Sequence, residues 1–212
     1  TNAMPKIIVN SVNGAKGGTV NVAIALENNP GIASMTLDVD YDSSVLTLKG
    51  ITDLNQLGTA VHSDQFTDPY VLCWVNDMAT EDFVVNGNIV ILTFAVSETA
   101  ALGEYEISVS YDYDKYDIYN TQVEKIKFYT VSGKVTVVDT LVGDVNNDGS
   151  VDNLDRLTLT RYLANWKDYT EDMINKIGAD VNCDGSIDNL DRLVLTRHLA
   201  NWSGYGELPY TD

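Results

Sequence analysis

Along residues 7–138, apolar and polar positions alternate with a period of two. Met35, Leu37, Val39 and Tyr41 interleave with Ser34, Thr36, Asp38 and Asp40. Val20, Val22, Ile24 and Leu26 do the same with small or polar neighbours. Tyr105, Ile107, Val109, Tyr111 and Tyr113 alternate with Glu104, Glu106, Ser108, Ser110, Asp112 and Asp114. A strand turns successive side chains to opposite faces, so the pattern predicts strands buried on one side and wet on the other. Further strands are expected at Lys6–Ser11, Val45–Asp53, Tyr70–Asn76, Ile89–Val96, Val123–Thr130 and Lys134–Val138. Gly17-Gly18, Asn28-Asn29-Pro30-Gly31, Asn86-Gly87 and Ser132-Gly133 supply the turns. About nine short strands with no helical period predict an antiparallel jelly-roll β-sandwich. Its expected extent is residues 5–139.

After Val138 the period changes. Leu159 and Leu163 are four apart, as are Leu195 and Leu199, with Trp166 and Trp202 closing the last turn of each predicted helix. Between them, Thr170 reads as the N-cap of a third helix. Glu171 and Asp172 fall in its first turn, and Met173, Ile174 and Ile177 form its apolar side. These elements predict a small helical domain over residues 141–208. The connection Asp139-Thr140-Leu141-Val142-Gly143 has no Pro/Ser-rich linker character, so the domains are expected to be held close.

The chemistry of the second domain is carried by a duplication. Asp144-Val-Asn-Asn-Asp-Gly-Ser-Val-Asp-Asn-Leu-Asp155 returns 36 residues later as Asp180-Val-Asn-Cys-Asp-Gly-Ser-Ile-Asp-Asn-Leu-Asp191. From Asp144 to Trp166, 19 of 23 positions agree with the copy. Asp144, Asn146, Asp148, Asp152 and Asp155 stand at positions 1, 3, 5, 9 and 12 of a twelve-residue loop, as do Asp180, Asn182, Asp184, Asp188 and Asp191. Ser150 and Ser186 fall at position 7, which offers a main-chain carbonyl, and glycine at position 6 makes the sharp turn. Hard oxygen ligands at this spacing wrap calcium, so two ions are expected. Position 12 is Asp rather than the Glu of a sensor loop, and no helix leads into Asp144. Both departures predict a static calcium-stapled unit rather than a switch that opens. A single repeat of this size cannot bury its own Leu/Trp stripe, so the two are expected to pack together.

Composition narrows the function classes. The net charge of −18 excludes nucleic-acid backbones and anionic membranes as partners. No segment reaches the roughly 18 apolar residues of a membrane helix. Residues 140–212 carry 13 acids and 6 bases, and eight of those acids are loop ligands; residues 1–139 carry 18 acids and 7 bases. Cys73 and Cys183 are expected to be free thiols. His62 and His198 are the only histidines, no catalytic constellation is present, and the chain is expected not to be an enzyme. Calcium loops of this kind suit millimolar extracellular calcium. Thr1-Asn2-Ala3 reads as an expression scar, and a secreted chain is expected.

Two loop-helix calcium repeats, Asp at position 12 and a helix between them resemble a type I dockerin over roughly residues 141–208. Dockerins are the plugs by which cellulosomal proteins attach to cohesins on scaffoldins. The resemblance implies that loop positions 10 and 11 and helix positions 17, 18, 21 and 22 touch the cohesin. These are Asn153, Leu154, Thr160, Arg161, Ala164 and Asn165 in the first repeat. The second repeat has Asn189, Leu190, Thr196, Arg197, Ala200 and Asn201. Because the two surfaces are identical in sequence, either is expected to dock after a half-turn. Asn-Leu replaces the family's familiar Ser-Thr at positions 10 and 11.

The first domain resembles a cohesin. The likeness is carried by Gly18-Thr-Val-Asn-Val-Ala-Ile-Ala-Leu26, Asn29-Pro-Gly-Ile32, Tyr41-Asp-Ser-Ser-Val-Leu46 and Gly87-Asn-Ile-Val-Ile-Leu-Thr-Phe-Ala-Val96, with Ser43 where Pro is usual. As a cohesin it would receive another protein's dockerin on the outward side of its third strand, at Ser34, Thr36 and Asp38. Asp64, Gln65, Asn76 and Asp77 lie nearby. The whole then reads as a non-catalytic adaptor of the extracellular cellulosome, binding a scaffoldin cohesin through its own dockerin. The alternative is a carbohydrate-binding module delivered by the dockerin, with Tyr111, Tyr113, Tyr116, Tyr119 and Tyr129 as a platform. Period-two counting puts Tyr111 and Tyr113 on the inner face, against that alternative. A third reading has the sandwich merely buttress the dockerin.

Overall fold

The computed structural model describes residues 3–58, 60–63, 65–76 and 78–210. It divides into two compact units, Thr1–Asn13 with Val20–Val137, and Gly14–Thr19 with Val138–Asp212.

The sandwich strands are β1 (Lys6–Val9), β2 (Val12–Ala15), β3 (Thr19–Glu27), β4 (Ser34–Tyr41), β5 (Leu46–Asp53), β6 (Ala60–His62), β7 (Tyr70–Val75), β8 (Gly87–Val96), β9 (Gly103–Ser110), β10 (Ile118–Tyr119), β11 (Tyr129–Val131) and β12 (Gly133–Val138). One sheet runs β11-β1-β3-β8-β5; the other runs β2-β12-β9-β4-β7-β6, with β10 also on β4. The sheets' facing sides form one core, in which Met35 and Leu37 lie opposite Trp74 and Leu72. Tyr41 meets Phe94 edge to face with centroids 5.0 Å apart. The alternating residues of β3 and β4 are buried as their period requires.

The differences from expectation have local causes. β1 and β11 pair in parallel, whereas β1–β3, β4–β7, β4–β9, β5–β8 and β9–β12 are antiparallel. Of the expected strand at 123–130 only Tyr129 and Thr130 form, within β11. Upstream, the Asn120 side chain accepts from the Gln122 and Glu124 amides and holds a turn in place of a ladder. The strand through Tyr105 ends at Ser110, because Asp112 accepts from the Asp114 and Lys115 amides. Tyr111 stays half-buried, its hydroxyl donating to the Phe128 carbonyl and accepting from the Phe128 amide. Tyr113, expected on the inner face, is exposed and lies 5.1 Å from the Lys125 ammonium. The short strands β2, β6 and β10 carry too few residues to show a period.

The second unit has two eleven-residue helices, α1 (Asn153–Leu163) and α3 (Asn189–Leu199), with α2 (Lys176–Ala179) between them. Val145, Leu159, Ile174, Ala179, Val181, Val194 and Leu195 form its core, with Leu163 and Leu199 packed at its edge; the leucines of the expected Leu/Trp stripes are thus covered, while Trp166 and Trp202 stay exposed. The helix expected after Thr170 is broken into a 3₁₀ turn at Glu171–Met173 and α2. Ile174, in extended backbone, ends the first piece, and Asn175 caps the second by accepting from the Gly178 amide. Its apolar side is only part real: Ile174 is buried, while Met173 and Ile177 are 63% and 64% exposed. Asn175 also clamps the first loop, since its amide and side chain donate to the Val145 and Asp144 carbonyls. Gly178 is held there by contact: a Cβ would fall 2.0 Å from the Asp144 carbonyl oxygen. In the second repeat the Tyr210 amide takes the equivalent place, donating to Val181.

Phe94→Ala removes a fully buried ring and is expected to lower sandwich stability by about 3–5 kcal/mol. The readout is the denaturant midpoint of the sandwich transition. A loss under about 1 kcal/mol would show that the sheets do not share this core.

Candidate functional site

Each calcium loop is ordered by its carboxylates acting on its own backbone. Asp155 is fully buried; Oδ1 accepts from the Val145 and Asn146 amides at 2.8 and 3.1 Å, and Oδ2 from the Asp152 amide at 2.8 Å. Asp191 repeats this with Val181, Asn182 and Asp188 at 2.8, 3.2 and 2.8 Å. Asp152 and Asp188 accept from the Leu154 and Leu190 amides and so cap α1 and α3, closing a capping box with the position-12 aspartates. Asp144 accepts from the Asp148 and Gly149 amides, and Asp180 from Asp184 and Gly185. Asn146 and Asn182 each accept at 2.9 or 3.1 Å from the amide two residues on. Asp148 and Asp184 accept from the Ser150 and Ser186 amides. Gly149 and Gly185 take φ +84° and +86°, the left-handed bend that glycine allows.

Among the described residues no salt bridge reaches these carboxylates. Burial pushes the Asp155 carboxyl up to about 6, with the Asp144 charge adding to it and the backbone amides opposing. Burial also raises Asp144 and Asp191, again against their amide donors. Asp, Glu, His and Cys alone make no group of three that could hold an ion among the described residues. The loops' donor set is mixed, adding the Asn146 or Asn182 amide oxygen and the main-chain carbonyl of Ser150 or Ser186. Buried carboxylates without a cation, in an all-oxygen set, fit a hard divalent ion.

Beyond the loops, Leu154, Thr160 and Arg161 lie on α1 with Asn153 at its first turn, and Ala164 and Asn165 stand just past its end; α3 repeats this with Leu190, Thr196, Arg197 and Asn189, followed by Ala200 and Asn201. Most are exposed, whereas Thr160, Arg161 and Arg197 are half-buried. Leu157 and Leu193 lie on the same helices and are exposed. Their spacing of three from Leu154 and Leu190 carried the signal, which sequence reasoning passed over. Asn165 and Asn201 have a second task, ending the helices at φ +53°. His198 is half-buried rather than a bare surface substitution, with Nδ1 2.8 Å from the Tyr205 carbonyl oxygen.

On the sandwich, the expected partner face is β4 with its neighbours. Thr36 and Asp38 are half-buried there, but Ser34 is only 4% exposed and donates to the Trp74 carbonyl. Asn76 is also committed, its amide donating to the Ala33 and Leu57 carbonyls. Gln65 is exposed, and Asp64 and Asp77 lie outside the described residues. Sequence reasoning missed the apolar part of this face. Val71 and Val75 on β7 and Val61 on β6 are exposed, flanking Cys73, whose Sγ is 3.2 Å from Thr36 Oγ1. Cys73 and Cys183 are both free.

With this geometry established, comparison with known proteins is decisive. Residues 5–137 match the cohesin domain model. The chain belongs to the cohesin family. Residues 142–200 match the type I dockerin domain, so a cohesin is followed by a dockerin in one chain. Cohesins and dockerins are non-catalytic interaction modules, and the pair marks a cellulosome assembly adaptor. The glycan-binding alternative finds no support, since the sandwich is a cohesin. Solved structures share its fold. CaCohA2 from Clostridium acetobutylicum superposes with a TM-score of 0.55 at 21% identity, over 66% of this chain and 94% of that one. The seventh ScaB type I cohesin from Pseudobacteroides cellulosolvens gives 0.53 and 21%, over 65% and 94%. A non-cellulosomal cohesin from the archaeon Archaeoglobus fulgidus gives 0.52 and 17%, over 64% and 92%. No curated protein matches the chain. Type I dockerin domains bind calcium, and among the described residues no helix is long and apolar enough to cross a membrane.

The raised Asp155 carboxyl sets a pH dependence. Its folded value lies above the ordinary 3.8, so in the ion-free chain its contribution to stability is full below that value and lost as pH rises through about 6. A proton therefore competes with calcium. Affinity at the first loop is expected to fall about tenfold from pH 7 to pH 5. Calcium titrations at the two pH values read this directly, and equal affinities would refute the burial argument.

Proposed function

We propose that this cohesin–dockerin chain is a secreted adaptor in which two calcium ions fix α1 and α3 as interchangeable plugs for a scaffoldin cohesin. The sandwich is the socket for another protein's dockerin. The observation that carries the reading is the matched pair of helix faces, each held at its N-terminus by a buried position-12 aspartate that also belongs to the ion's loop. The first ion would be held by Asp144, Asn146, Asp148, Ser150, Asp152 and Asp155, and the second by Asp180, Asn182, Asp184, Ser186, Asp188 and Asp191. Removing calcium leaves buried charge in both loops and frees the helix starts, so docking would be lost with the ion.

On the socket side, Val61, Val71 and Val75 supply an apolar centre, and Thr36 and Asp38 supply the polar edge of β4. Acidic groups at the rim of such a surface steer a basic partner and select among partners more than they add affinity. The structure of the sixth scaffoldin B cohesin from Acetivibrio cellulolyticus, 19% identical to this chain, was determined with a mutant Cel5 dockerin bound. That precedent supports the socket role of this sandwich.

Isothermal titration of the full chain against a panel of single cohesins should give at least one nanomolar complex in calcium and none in chelator. Binding that survives chelation would sink the mechanism. For the socket, Val71→Asp should abolish capture of a dockerin on the sandwich and leave cohesin binding by the chain's own dockerin unchanged. Loss of both activities would show that the two sites are not independent.

A further inference from the structure

The four arginines of this chain all lie on the two docking helices, Arg156 and Arg161 on α1 and Arg192 and Arg197 on α3. The net charge is −18, yet among the described residues every salt bridge is made by a lysine. Arg161 and Arg197 are instead held by aromatic rings of their own repeats. The Arg161 guanidinium carbon lies 5.1 Å from the Trp166 ring centroid and 5.2 Å from that of Tyr169. Arg197 lies 5.3 Å from Trp202 and 5.0 Å from Tyr205. In both repeats one guanidinium nitrogen, Nη1, donates to the tyrosine hydroxyl.

The backbone builds this clamp. After α1, the Asn165 amide donates to the Tyr162 carbonyl and the Trp166 amide to the Arg161 carbonyl; after α3, Asn201 and Trp202 donate to His198 and Arg197. This is a Schellman closure, which sets the residue two past the cap against the residue three before it. That contact is usually apolar, and here it is tryptophan against arginine. A further turn, from the Tyr169 amide to the Trp166 carbonyl and from Tyr205 to Trp202, brings in the second ring.

The clamp carries a cost. The Nε atoms of Arg161 and Arg197 are buried without a hydrogen-bond partner. A buried donor left unmade opposes folding. The same cost at both equivalent positions, and at no other fully buried side-chain atom described, argues for a role outside the fold. The two tryptophans remain 56% and 57% exposed beside the arginines they pack on.

We propose that Trp166 with Tyr169, and Trp202 with Tyr205, are positioning residues that hold Arg161 and Arg197 as preformed carboxylate receptors. The occupant is an aspartate or glutamate on the face of the receiving cohesin. The proposal rests on the reading that α1 and α3 dock a cohesin. A free arginine loses much side-chain freedom on binding, and a clamped one has lost it beforehand, so its charge and planar edge are presented in one orientation.

Two measurements on the calcium-loaded full chain test this. With four arginines, ¹⁵N guanidinium spectra resolve each Nε–H. Two are expected to exchange slowly with water, and both should become fast in the Trp166→Ala/Trp202→Ala variant. Four fast signals in the unaltered chain would refute the clamp. The second measurement takes, from an array of single cohesins, the one that binds the unaltered chain most tightly. The double alanine variant should bind it about tenfold more weakly with calcium affinity unchanged, and Trp166→Phe/Trp202→Phe should restore most of the loss. Alanine at the contacting cohesin carboxylate should cost as much, and the two losses should be non-additive. Equal binding by the alanine variant, or strictly additive losses, overturns the proposal while leaving the docking reading intact. If the array holds no binder for the unaltered chain, the docking reading fails and the proposal goes with it.

Discussion

The dockerin depends on a carboxylate shut away from water at the twelfth position of each loop. Asp155 gathers amides from the start of the loop and from the helix cap, so one side chain sets both where the loop closes and where α1 begins. Three backbone donors do not offset the burial, and the carboxyl is still pushed up to about 6. The loop therefore buries negative charge against its own amides, a conflict of the kind a divalent cation would resolve. Anything mounted on the helix inherits that dependence. On the proposed reading, calcium at these loops is a structural requirement of the two helix faces rather than a switch.

The duplication acts as an internal control on which features are constrained. The repeats differ at Asn147/Cys183, Val151/Ile187, Thr158/Val194 and Tyr162/His198. Asn147 and Cys183 both take left-handed φ, at 60° and 56°, so the backbone bend persists through the change of side chain. Thr158 and Val194 face inward on their helices, and Tyr162 and His198 are half-buried beside the core. None of the four lies on the Leu154–Leu157–Arg161 stripe or its copy. Divergence has gone into the support and spared the presented surface.

Much of this was legible because burial follows period. The alternation in β3 and β4 named the buried residues, and the loop spacing named the carboxylates that order each loop and the helix starts. What escaped was decided by short-range hydrogen bonds from side chains to the backbone. Asn120, Asp112 and Asn175 each divert a segment that apolar patterning alone would continue as a strand or helix. Ser34 escaped for another reason: alternation places it outward, but β10 pairs with β4 across it. Tyr169 and Tyr205 repeat at the same interval as the loops, yet their neighbours differ, Lys-Asp in one copy and Ser-Gly in the other. Identity counting ends at the tryptophans and misses the ring that completes each clamp.

One socket and one plug on the same chain differ in kind from two of either. A self-complementary pair of like surfaces closes into a dimer, whereas unlike ends pass a connection onward. The charge distribution reinforces that polarity. Arginine is confined to α1 and α3, and residues 1–139 carry 18 acids against 7 bases. Two sandwich domains therefore repel one another, while the arginine faces favour an acidic surface. On the proposed reading, apolar area at each face supplies adhesion, and the sign of the charge selects which face meets which.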